Sequence, residues 1–214
     1  MDILLSQIKI RLPNRVAPLF SISSLEIPGG SRILIHGPSG RGKTTLLHLL
    51  AGQFLPDEGT IRVDDVELTS LDDDARSRLR RKHFGIVFQR LNLLDHLTAL
   101  ENVLVGAPNS SRDYFAKAAV AVSRMGLNPL SQQRSGTLSV GEQQRVAVAR
   151  VLASSPDIVL ADEPTSSLDD VNAESVMQAL CEDVEGRTLV VVSHDARIRR
   201  FFDTVWDFEK LVDT

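Results

Sequence analysis

Gly37-Pro38-Ser39-Gly40-Arg41-Gly42-Lys43-Thr44-Thr45 follows directly on the apolar stretch Ile33-Leu34-Ile35. A buried strand that runs into a glycine-rich turn and then a helix turns successive backbone N–H groups toward one place. The helix amino end adds positive potential there. Lys43 supplies a point charge for phosphate oxygens, and the Thr44 hydroxyl can reach a magnesium ion. Residues 37–45 are therefore the expected cradle of a nucleoside triphosphate, with Thr45 better suited to local packing than to metal binding.

Two further clusters complement it. Ile158-Val159-Leu160-Ala161-Asp162-Glu163-Pro164 places two carboxylates where a buried parallel strand ends, which in open sheets is where ligands bind. Asp162 can hold magnesium directly or through water. Glu163, pointing differently, can polarise an attacking water. Adjacent acids at a strand end are otherwise ordinary solvated turn residues, and it is the phosphate loop beside them that favours chemistry. Leu138-Ser139-Val140-Gly141-Glu142-Gln143-Gln144-Arg145 sets a hydroxyl and a glycine at a helix amino end. That is either an ordinary capped helix or a second anion site. One phosphate site does not need two helix amino ends from such distant parts of a chain. The arrangement makes sense if this one closes over the triphosphate held by a second subunit.

These groups need a scaffold. Apolar runs at 3–10, 19–27, 32–35 and 60–63, punctuated by Pro28-Gly29-Gly30 and Pro56-Asp57-Glu58-Gly59, are strand and turn signatures. Leu46, Leu47, Leu49 and Leu50 extend the helix opened by the phosphate loop to near Gly52. A charged helix spans 72–83, where Arg76, Arg78, Arg80, Arg81 and Lys82 form a solvated face or a contact with a partner or acidic lipid. Thr98 with Glu101, and Ser139 with Glu142, form capping boxes. They predict one helix through Val105 and another that ends before Pro156. A further helix covers 113–125. Residues 158–161 and 189–192 are near-continuous β-branched and apolar runs, as in parallel strands covered on both faces. A helix over 171–184, stopped by Gly186, lies between them.

Composition bounds the function. The 214 residues suit one sizeable domain, and a formal charge of -4 gives no reason to expect direct nucleic-acid binding. Cys181 is the only cysteine, so no disulfide framework or cysteine zinc cluster is expected. The amino-terminal residues lack a secretion signal, and no apolar run approaches the 18 residues needed to span a bilayer. Any membrane role is expected to come through a partner. Asn109-Ser110-Ser111 is read as a chance match to a glycosylation acceptor.

The chain resembles the nucleotide-binding subunit of an ATP-binding cassette transporter over essentially its full length. The resemblance rests on five ordered motifs: the phosphate loop, Gln89, the signature at 138–143, Asp162-Glu163 with the following Ser167-Leu168-Asp169, and His194. Phe88-Gln89, Leu93-Leu94, the segment 97–103 and Ser193-His194-Asp195 are similar to the group serving lipoprotein release, macrolide-type efflux, glycolipid export and cell-division complexes.

The resemblance implies an α/β phosphate-loop NTPase cassette with a mostly parallel core sheet, an antiparallel β subdomain and an inserted helical lobe. The core lobe is then about 1–88 and 157–214, and the helical lobe about 89–156. It further implies ATP and Mg2+ as ligands, with Gly37, Pro38, Ser39, Gly40, Arg41, Gly42, Lys43, Thr44 and Thr45 on the nucleotide and Thr44, Asp162 and Gln89 on the metal and water. Glu163 would be the general base, and His194 would contact the γ-phosphate. Ser139, Gly141 and Glu142 would reach the nucleotide of a second copy or a homologous cassette, with Ser167 and Asp169 linking the two sites. An integral membrane permease would be driven from the inner face of the cell membrane, and the chain would be a cytoplasmic, peripheral subunit.

Two departures from the family pattern stand out. Val140 replaces a glycine of the signature, which is tolerable only where positive φ is not needed. No aromatic residue occurs at 10–16 to stack on adenine. Arg11 or Arg15 can lie over a base through a planar cation, whereas Phe20 better fits an inward strand position. Leu91, Leu93 and Leu94 form either the surface that receives a membrane partner or core packing of the helical lobe. The competing function is a soluble cassette ATPase acting on nucleic acid or in translation. The short spacing from Lys43 to Leu138 and the single cassette fit that function poorly.

Overall fold

A computed structural model describes residues 1–11, 17–106, 112–183 and 186–213. Arg15, the Asn109-Ser110-Ser111 triplet and Val184 lie outside the described residues. The elements run β1 (Ile3–Arg11), β2 (Pro18–Ile27), β3 (Arg32–His36), α1 (Lys43–Leu50), β4 (Glu58–Val63), β5 (Val66–Glu67), α2 (Asp73–His83), β6 (Phe84–Val87), α3 (Ala99–Leu104), α4 (Arg112–Arg124), α5 (Val140–Ser154), β7 (Ile158–Asp162), α6 (Asp170–Asp183), β8 (Thr188–Val192), β9 (Thr204–Asp207) and α7 (Phe208–Leu211).

Two sheets organise them. The first is antiparallel with order β2-β1-β4-β5, and the second is parallel with order β6-β7-β8-β3-β9. In the parallel sheet, β7 and β8 are buried at every position, which is why they read as unbroken apolar runs. Their side chains alternate between two apolar layers. Val159, Ala161, Leu189 and Val191 join the core formed with α3 to α6, while Ile158, Leu160, Val190 and Val192 join α1 and the antiparallel sheet. The fold is the α/β phosphate-loop NTPase architecture expected from the sequence.

Both capping boxes form. Thr98 opens α3 and accepts from the Glu101 N–H, and Ser139 opens α5 and accepts from the Glu142 N–H. The returned bonds from the glutamate side chains satisfy a second amide at each helix start.

Strands β6 and β9 were not among the expected strands. In β6, Gly85 marks close approach and not a break: an added Cβ would lie 2.6 Å from both Pro156 Cγ and Val151 Cγ1. The charged helix α2 forms, but its basic run is not wholly a solvated face. Arg76 is buried and donates to the Leu71 carbonyl, and Arg80 donates to the Gly52 carbonyl at 2.6 Å. Arg78, Arg81 and Lys82 remain exposed.

Asn102 of α3 is fully buried and serves as a polar hub. Its Oδ1 accepts from the Leu94 N–H at 2.8 Å. Its Nδ2 lies within 3.3 Å of the Leu94, Leu97 and Thr98 carbonyls and 2.8 Å from Ser135 Oγ. Asn102→Ala leaves several of these buried groups without partners, at about 1–3 kcal/mol for each unsatisfied group. We expect Asn102→Ala to lower the unfolding free energy by about 2–3 kcal/mol, read as a shift in urea midpoint at constant slope. A loss below about 1 kcal/mol would show that water or neighbouring groups replace the hub.

Candidate functional site

Strand order brings the chemistry together. The phosphate loop follows β3, Asp162 ends β7, and β8, paired to both, delivers Ser193 and His194 between them. An open cleft of about 300 Å³ lies at these strand ends. It is lined by Ser39, Gly40, Gly42, Lys43, Thr44 and Thr45 from the loop and α1, by Asp162 and Glu163, by Gln89 just after β6, and by Leu19 of β2. Gly37, Pro38 and Arg41 do not line it. The Gly37 and Pro38 carbonyls each accept from Lys43 Nζ at 2.8 Å, and Arg41 pairs with Glu209 at 3.4 Å.

The loop requires its glycine at 42. Gly42 has φ 110°, and an added Cβ would meet the Phe20 ring at 3.0 Å, so any side chain is both strained and crowded. Lys43 is buried. Desolvation pushes its ammonium pKa down, and the Glu163 and Asp162 carboxylates push back up.

The Thr44 hydroxyl donates to Asp162 Oδ2 at 2.6 Å. Burial raises the Asp162 pKa, the Thr44 hydrogen bond opposes the rise, and the neighbouring Glu163 charge adds to it. A hydroxyl and a carboxylate oxygen side by side are hard donors of the kind magnesium takes. Among the described residues no group of three or more His, Cys, Asp or Glu side chains is arranged to hold a metal ion. That sparse donor set fits an ion held mainly by phosphate oxygens and water.

Glu163 is the most constrained acid. It is buried and sits at φ 51°, in the left-handed region that costs a non-glycine residue about 1 kcal/mol or more. Its N–H donates to the Val192 carbonyl at 2.9 Å. Oε2 accepts from Ser193 Oγ at 2.7 Å, and Oε1 accepts from the His194 N–H at 3.1 Å and lies 2.6 Å from His194 Nδ1. The His194 ring is more than half exposed and does not line the cleft, yet it touches the carboxylate that does.

The signature residues sit elsewhere. Ser139 is exposed at the start of α5, and its N–H and Oγ both donate to Glu142 Oε2 at 2.8 Å. These bonds hold the Glu142 carboxyl below its ordinary pKa. Ser139, Gly141 and Glu142 do not line the phosphate cleft of their own chain. Val140 begins α5 without positive φ and with an exposed side chain, so a β-branched residue is accommodated where the family pattern has glycine. Gly141 packs tightly on the next loop: a Cβ there would lie 3.1 Å from the Ser167 carbonyl oxygen. Asp169 accepts from the Asn172 N–H at 2.8 Å and from its side chain, which keeps the Asp169 carboxyl ionised to lower pH.

Of the two arginines that could lie over a base, Arg15 is outside the described residues and Arg11 is engaged elsewhere. Its guanidinium pairs with Glu58 at 2.8 Å and is not in the cleft lining. Phe20 is fully buried, edge-on to Phe208 with ring centroids 5.7 Å apart. Among the described residues of this region, Leu19 lines the cleft. Sequence reasoning missed Leu19 and Ser193 as parts of the site. For Ser193 a signal existed, because a residue just after a strand paired to β7 must fall beside Glu163.

The fold and cleft define a phosphate-loop nucleotide-binding domain. Residues 20–166 match the ABC transporter family, and the chain belongs to that family as an ATP-binding cassette. It is 44% identical over 186 residues to an uncharacterised ABC transporter ATP-binding protein of Mycobacterium tuberculosis, an alignment covering 85% of this chain and 56% of the relative. It is 40% identical over 194 residues to the macrolide export ATP-binding/permease protein MacB of Rhodopseudomonas palustris, covering 87% of this chain and 29% of that one. The chain thus spans little more than half the length of the mycobacterial relative. The dimeric structure of MJ0796, a bacterial ABC transporter cassette, superposes with a TM-score of 0.88 at 34% identity, covering 96% of this chain and 94% of that one. A dimeric post-hydrolysis state of MJ0796 bound to ADP and Pi superposes with a TM-score of 0.86.

Proposed function

We propose that this chain hydrolyses ATP as the motor subunit of a transporter or mechanotransmission complex. Two cassettes close head to tail over two ATP molecules and drive an integral membrane permease. The observation that carries this reading is the Glu163 carboxylate, held by Ser193 and His194 in the same cleft as Lys43, Thr44 and Asp162. Lys43 and the amides of residues 37–45 hold the phosphates. Thr44 and Asp162, with Gln89, hold the magnesium, which when bound neutralises phosphate charge. Glu163 takes the proton of the attacking water. His194 orients that water and contacts the γ-phosphate. Ser139, Gly141 and Glu142 cover the nucleotide of the opposite subunit, a reading supported by their position outside the lining of their own cleft. Ser167 and Asp169 join the two sites across the interface.

Among the described residues no helix is long and apolar enough to cross a membrane. Attachment to the inner face of the cell membrane runs through the permease in this reading. The helical lobe at about 89–156 receives it around 89–97. There a groove lined by His48, Phe88, Gln89, Arg90 and Asn92 adjoins the nucleotide cleft and shares Thr44, Gln89 and Asp162 with it. The leucines divide. Leu93 packs against the core, whereas Leu94 is 42% exposed and free to meet a partner. Leu94→Ser is therefore expected to leave basal hydrolysis unchanged and to abolish stimulation by the permease in a reconstituted complex. Full stimulation of a well-folded Leu94→Ser complex would place the coupling surface elsewhere.

A further inference from the structure

Gln144 lies one turn into α5, five residues past Ser139, and is 3% exposed. Its amide is divided between two backbone partners in another part of the chain. Nε2 donates to the Glu163 carbonyl at 2.8 Å, and Oε1 accepts from the Ser167 N–H at 3.2 Å. The Glu163 carbonyl has other donors, the Ser166 N–H at 3.3 Å and the Ser166 hydroxyl at 3.2 Å, but both are longer and come from the same loop. Gln144 is the donor that reaches the Glu163 carbonyl from outside that loop.

The residue so held is the one non-glycine position in the cleft with a left-handed backbone, so its conformation depends on fixed partners. Two further contacts make the attachment of α5 firm. Gly141 packs at backbone distance on Ser167, and Arg145 bonds Asn172, which in turn holds Asp169.

We propose that Gln144 is a positioning residue for hydrolysis. It ties the backbone of Glu163 and the amide of Ser167 to α5, so that the seating of the Ser139 end of that helix sets the aim of the Glu163 carboxylate. In a head-to-tail pair the amino end of α5 meets the opposite subunit's nucleotide while Glu163 serves its own. The two ends of this short tether therefore belong to different active sites, and occupancy of one aligns the base of the other. The inference rests on the proposed role of Glu163 as general base.

The test is a double-mutant cycle on the full chain, with melting curves beside steady-state kinetics. Gln144→Met fills the volume and removes both hydrogen bonds. Gln144→Glu keeps the acceptor for Ser167 but sets a carboxylate oxygen against the Glu163 carbonyl. Each is expected to lower kcat tenfold or more with the KM for ATP changed less than about twofold. In a Glu163→Gln background neither should lower the residual rate further, because the effect passes through that carboxylate. Wild-type kcat in both variants, an equal loss in both backgrounds, or unfolding of both variants would overturn the proposal, the last by making the amide a requirement of the fold alone. Wild-type turnover in the Glu163→Gln single variant would instead refute the general-base assignment, whatever Gln144 does.

Discussion

Glu163→Gln is expected to bind ATP as the unmodified chain does and to lose turnover by about 10²- to 10⁴-fold, the range general-base removal costs. The substitution is close to isosteric, and the site can absorb it. The amide oxygen can still accept from the His194 N–H, and the amide nitrogen can donate to Ser193 Oγ, which now accepts where it formerly donated. The backbone anchors of residue 163 to Val192 and Gln144 do not involve the side chain. Only the capacity to take a proton is lost. Nucleotide binding measured by titration, beside phosphate release, separates the two effects. Unchanged turnover would remove Glu163 from the chemistry, and loss of binding would make it a structural acid.

Lys43→Ala is expected to act on the other half of the reaction. Its ammonium is buried and within reach of the Gly37 and Pro38 carbonyls, so the variant loses a phosphate contact and a brace of the loop together. A hydrogen bond to a charged group is worth about 1.5–3 kcal/mol, so ATP affinity should fall roughly 10- to 150-fold. Calorimetric titration reads this directly. Because burial already depresses the lysine pKa, the phosphate charge should draw that pKa upward on binding. Affinity within threefold of the unmodified chain would mean that the loop amides alone carry the phosphates.

The parts of the site legible in the sequence were those written in local order. Glycines, lysine and hydroxyl at fixed offsets after Ile33-Leu34-Ile35 specify a strand, a turn and a helix start, and that is what β3, the loop and α1 form. Thr98 with Glu101 and Ser139 with Glu142 are likewise local, and both capping boxes are present. What stayed hidden depended on neighbours distant in the chain. Strand β6 is four residues long, carries a glycine and follows a charged helix without a turn signal. The glycine is required by α5 and Pro156, which sequence order does not bring near. Arg76 and Arg80 turn inward because carbonyls wait there. Gln144 bonds only to backbone atoms of residues 163 and 167, and a peptide group carries no sequence signal. Arg11, read as a possible cation over a base, pairs with Glu58 of the adjacent β4, a neighbour distant in the chain.

The head-to-tail pair is tested most directly by the light-scattering mass of Glu163→Gln in saturating MgATP, with and without Ser139→Arg added in the same chain. A particle of two chains is expected to persist while MgATP is present, because closure is no longer ended by hydrolysis. The added Ser139→Arg is expected to abolish that particle, since an exposed arginine at the start of α5 blocks the opposing nucleotide. A single-chain mass at saturating MgATP, or a two-chain particle indifferent to Ser139→Arg, would contradict the head-to-tail pair.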